Sequence, residues 1–63
     1  MYYNEILKQK NKEKDTDFIE RVQEFLNKNI NNAYTKLINI QWFTDDDSYY
    51  PYSCIITYFK ELS

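Results

Sequence analysis

The residues best equipped to bind something are aromatic, and those equipped to catalyse are scarce. The 63-residue chain holds seven Tyr, four Phe and one Trp, but no His, no Gly and one Cys. Trp42, Tyr50, Tyr52 and Tyr58 crowd toward the C-terminus. Each offers a flat face, and stacking a base on such a ring is worth about 1–3 kcal/mol. Tyr adds a hydroxyl for a ribose or a phosphate. Arg21, Lys8 and Lys10 are the cations that could pair phosphate oxygens. These seven side chains are the candidate ligand-binding set.

The basic residues have a second reading. Lys8, Lys10, Lys12 and Lys14 alternate, so a strand running through them would project a ladder of ammonium groups from one face. Glu13 and Asp15 dilute that charge, which favours an ordinary solubilising loop. Arg21 is expected in the first turn or so of a helix. Unbonded backbone N–H groups there favour anions, while its acidic neighbours favour an ordinary salt bridge.

Catalysis finds little to work with. No His can move protons near neutral pH, and no glycine-rich loop can cradle a phosphate. Cys54 as a nucleophile would need a nearby base; it reads instead as a buried, inert thiol. Asp45, Asp46 and Asp47 look like half a calcium loop, without its glycine or its distant Glu. They read as a solvated turn. One Cys and no His cannot make a zinc site, which takes about four N or S ligands. The expectation is a protein that is not an enzyme and uses no metal or cofactor.

The elements that must carry these residues follow from periodicity. Residues 2–10 read as a first strand on Tyr2, Tyr3, Ile6 and Leu7, and residues 8–15 as a charged, solvated loop or the strand's fraying end. Residues 17–30 predict an amphipathic helix. Phe18, Ile19, Val22, Phe25, Leu26 and Ile30 recur at steps of three and four, with Asp17 and Glu20 spaced as a capping box. Glu24 and Lys28 form an i, i+4 pair. Asn29, Asn31 and Asn32 would end the helix in a left-handed turn. Residues 36–44 read as strand two. Ile38, Ile40 and Trp42 fall on one face and Leu37, Asn39, Gln41 and Phe43 on the other. Residues 45–48 form a turn, and 49–60 strand three, with Pro51 at an edge or bulge. The expected fold is α+β in the order β-α-β-β: one domain over residues 1–63, a three-stranded sheet with one helix on one face.

Such a small domain buries only about 60% of the surface its unfolded chain exposes. With no disulfide or metal, self-association is the staple left. Both faces of strands two and three carry large side chains, and one helix covers only one. The other would leave several hundred Å² of apolar surface, more than monomers usually expose. It could pack on a second copy, or stack flat ligands where subunits meet. A net charge of −2 argues against nucleic acid as a partner. No stretch approaches the ~20 apolar residues of a membrane span, nor is there a signal-peptide run. With a single thiol, that predicts a cytoplasmic protein.

Val22, Phe25 and Leu26 in the helix, Ile38 and Ile40 in strand two, and Tyr52, Ser53, Ile56 and Tyr58 in strand three form a pattern over roughly residues 17–60. It resembles the Cse family of small sporulation-associated proteins, with "V-x-x-F-L" helices and a closing "Y-S-x-x-I-x-Y" strand. The lysine-rich stretch and the "TDDDSYYP" hairpin depart from it. That resemblance names a setting and supplies no activity; the aromatic face and the edge strands of so small a sheet separately suit a small regulatory protein that binds a host protein. Abundant Asn, Lys, Ile and Tyr suit an AT-rich genome, as in low-GC bacteria and their phages. By kind, the chain is similar to small phage sponges that sequester cyclic nucleotide or ADP-ribose-type immune signals. That likeness implies a homo-oligomer holding a nucleotide-like ligand at its interfaces.

Overall fold

The structure, a computed structural model, describes residues 1–30 and 32–61. Four elements follow in order: β1 (Tyr2–Lys8), α1 (Asp15–Asn29), β2 (Thr35–Thr44) and β3 (Tyr52–Lys60). The three strands form one antiparallel sheet ordered β1-β3-β2. This is the expected small α+β fold. β3 takes the centre, with Cys54, Ile56 and Tyr58 on one face and Ile55 and Phe59 on the other. β1 and β2 are both edges, and α1 carries the chain from one to the other.

Register fixes the faces. Leu7 and Trp42 flank Cys54, and Glu5 and Ile40 flank Ile56. Residues directly opposite across antiparallel strands share a face, so these six lie on one side. α1 packs there. Phe18 and Val22 from the helix meet Cys54 and Ile56 from β3, and all four are fully buried. Leu7, Phe25, Leu26, Ile30, Ile40 and Tyr58 pack around them. Burying each large apolar side chain contributes roughly 1.5–3 kcal/mol, so so few fully buried groups make a thin core.

Several expected boundaries shift. β1 ends at Lys8, not residue 10. Lys12 turns the chain at φ 66°, so the lysine ladder does not form: Lys8 ends the strand and Lys10 sits in the turn. The helix begins at Asp15, and Lys14 is its N-cap without a side-chain cap bond. Asp17 therefore lies inside the first turn, and the expected capping box is absent. Asp15 and Asp17 still favour the helix by facing its positive end. At the other end Ile30 keeps a right-handed conformation and its N–H bonds Leu26 O at 2.9 Å. Neither Asn29 nor Asn32 supplies the left-handed turn; Asn31 lies outside the described residues. Glu24 and Lys28 do pair, 3.6 Å apart on the exposed face.

In β2 a bulge falls between Leu37 and Asn39, so Leu37 pairs with Tyr58 while Asn39 pairs with Thr57. One extra residue reverses the alternation. Leu37 thus sits on the helix side, not beside Asn39, Gln41 and Phe43. β3 starts at Tyr52, not 49, because Pro51 has no N–H for the ladder. The segment before it folds as a loop on Asp45: the Asp47 N–H donates to Asp45 Oδ1 and the Ser48 N–H to Asp45 O, each at 3.1 Å.

The far face of the sheet is mixed. Tyr2, Ile6, Phe43, Ile55 and Phe59 share it with Asn4, Asn39, Gln41, Ser53 and Thr57. Thr57 Oγ1 donates to Asn4 Oδ1 at 2.8 Å, and Tyr2 meets Phe59 edge-on at 5.1 Å.

Candidate functional site

The helix is shorter than the sheet it lies on. Fifteen residues of α1 rise about 22 Å, whereas ten residues of β2 extend roughly 33 Å. One end of the helix-side face therefore stays open. There Phe18 and Ile19 of α1 face Trp42 and Tyr52 across a groove of about 420 Å³, with Phe43 and Thr44 of β2 bordering it. Its walls are almost wholly apolar, with Asp15 and Thr44 the polar exceptions. Trp42 is 54% exposed, Ile19 46% and Tyr52 38%. The buried Phe18 ring meets Trp42 edge-on, centroids 6.4 Å apart at 89°, and leaves much of the indole open. The volume is that of a small-molecule pocket.

Gln9 holds this groove together. It is buried. Its Nε2 donates to Asp15 Oδ1 at 2.9 Å and to Glu13 O at 2.8 Å. Its Oε1 accepts from the Tyr52 N–H at 3.2 Å, and its own N–H donates to Tyr52 O at 2.9 Å. One amide thus ties Asp15 at the helix start to Tyr52 at the start of β3.

Arg21 braces the same corner. Its Nε and Nη2 each donate to Glu13 at 3.0 Å, and Nη2 also bonds the Lys8 carbonyl. The guanidinium lies over the Phe18 ring, 5.4 Å from its centroid. The Arg21 hydrogen bond, helped by the Lys10 N–H, holds the Glu13 carboxyl below its usual pKa. Burial pushes the Cys54 thiol up.

The seven residues read from the sequence therefore separate. Trp42 and Tyr52 come together in the groove. Tyr52 also lines a second, more polar recess of about 320 Å³ with Lys8, Tyr50, Asp45 and Ser48. Tyr58 lies away from both, stacked on Tyr3 at 5.4 Å and met edge-on by Phe25 at 6.2 Å. Arg21 is engaged by Glu13, and Lys10 stands exposed in its turn. Phe18 and Ile19 were legible as helix residues but not as groove walls. Gln9 sat unmarked in a charged run.

Chemically, the groove can hold a flat apolar group and little else. Among the described residues, no cluster of His, Cys, Asp or Glu could grip a metal ion, and no helix is long and apolar enough to cross a membrane. No protein-family model matches the chain, nor does any curated protein or solved structure, so its function must be read from this geometry.

Proposed function

We propose that this chain is a non-catalytic binding protein, working as a homo-oligomer, that holds a planar ring of a small molecule against Trp42 and Tyr52. The observation that carries this reading is the open apolar groove beside a half-exposed indole. A nucleotide-type signal fits the division of the two recesses. Its base would stack in the groove, while its sugar and phosphate would meet Lys8, Ser48 and Tyr50 across Tyr52. Asp45 in that recess disfavours a densely charged ligand, so hydroxyl-rich molecules with few phosphates fit best.

The test is a thermal-shift panel of adenosine, cyclic dinucleotides, cyclic trinucleotides and ADP-ribose isomers. The reading expects stabilisation by at least one compound, lost in Trp42→Ala. If no compound shifts the melting temperature, the nucleotide assignment is wrong.

A second reading, a host protein as ligand, is favoured by the exposure of Leu37, Ile38 and Phe43 along the β2 edge. An exposed edge strand is a common site for adding a partner's strand. Purification from the native cell without any stoichiometric protein partner would rule it out.

A further inference from the structure

We infer that the β2 edge, over Asn39–Thr44, is where a second copy of this chain docks, joining two sheets into one of six strands. The inference rests on the self-association in the proposal above and names the surface for it.

The two sheet edges differ in how they are guarded. Natural sheets protect free edges with charge, proline, bulges or short strands. The β1 edge carries Glu5 and Lys8 and is only seven residues long. The β2 edge has its bulge and its one charge, Lys36, at the start. Beyond Asn39 the sequence Asn-Ile-Gln-Trp-Phe-Thr has no charge, no proline and no irregularity. Against itself it meets no like-charge repulsion. It also presents Trp42 at 54% and Phe43 at 46% exposure, one on each face.

Symmetry fixes the register. Two copies of one edge pair antiparallel about a two-fold axis normal to the sheet, which keeps both helices on one side. Facing residues then share a face, so their numbers differ by an even count. Centring the axis on Gln41 keeps the paired stretch clear of the bulge. It sets Trp42 against Ile40 of the second copy on the helix side, and Phe43 against Asn39 on the other. Each groove then gains Ile40 of the second copy beside its indole.

The experiment is sedimentation equilibrium on the full chain, with circular dichroism as the folding check. Wild type is expected to sediment as a dimer or an even multiple. Asn39→Lys/Gln41→Lys places like charges across the axis at exposed positions and should weaken association at least tenfold while the spectrum stays native. Ile6→Lys, on the β1 edge, should leave association unchanged. A monomeric wild type, undiminished association in the folded double-lysine variant, or dissociation by Ile6→Lys would each overturn the β2 assignment. Ligand stabilisation of a monomeric double-lysine variant would show that the groove functions independently of this interface.

Discussion

Gln9 and Tyr52, 43 positions apart, grip each other twice: the Gln9 N–H reaches the Tyr52 carbonyl, and the Gln9 side-chain oxygen receives the Tyr52 N–H. The same side chain holds Asp15. A single amide thus sets the distance between the helix start and the first residue of the central strand, which are opposite walls of the groove.

Gln9→Ala should therefore lower stability and loosen the groove together. It removes the side-chain bonds to the Tyr52 N–H, the Glu13 carbonyl and the Asp15 carboxylate, each worth about 0.5–1.5 kcal/mol. Urea unfolding would measure that loss. Gln9→Glu should fare no better, because a carboxylate cannot donate to Asp15.

Arg21 should prove a bracing residue. Arg21→Lys keeps the charge but loses the two-pronged grip on Glu13, so it should recover little of the stability lost in Arg21→Ala. Ligand affinity per folded molecule should change less than in Trp42→Ala. Thermal melts and titrations on both variants separate the two effects.

Acid should act through Glu13. Its folded-state pKa lies below the ordinary 4.5, so the unfolded chain takes up the proton first. The stability from the Arg21 pair is present above pH 4.5 and fades as pH falls through the lower folded value. Urea midpoints between pH 6 and pH 3 should fall less steeply in Glu13→Gln, which has no proton to take up.

Cys54 should behave as core. Its pKa lies above the ordinary 9.0 because burial disfavours the thiolate. The folded state therefore loses stability as pH rises above 9, where the unfolded thiol ionises first, and Cys54→Ala should flatten that decline. A thiol reagent at pH 8 should label the native protein only at the rate at which it opens, and the urea-unfolded chain at once.

Much of this architecture was legible. The three- and four-residue spacing of Phe18, Val22, Phe25 and Leu26 marked the helix and its buried stripe. The alternation from Tyr52 to Tyr58 marked the strand that becomes central. The misplaced details share one cause, which is that local pattern does not report backbone pairing. Nothing in Leu37-Ile38-Asn39 announces a bulge, yet that extra residue moves Leu37 to the other face. The helix began before Phe18 because its first turn needs no apolar residue. Gln9 escaped notice because its partners, Asp15 and Tyr52, are brought together only by the fold. Trp42 was singled out as a free aromatic, and its exposure follows from a helix shorter than the strand beneath it.

Native mass spectrometry on freshly isolated protein tests the central claim most directly. The account predicts at least two 7.8 kDa chains together, carrying a small-molecule mass that Trp42→Ala loses. A bare single-chain mass at high concentration, from protein with a native circular dichroism spectrum, would contradict it.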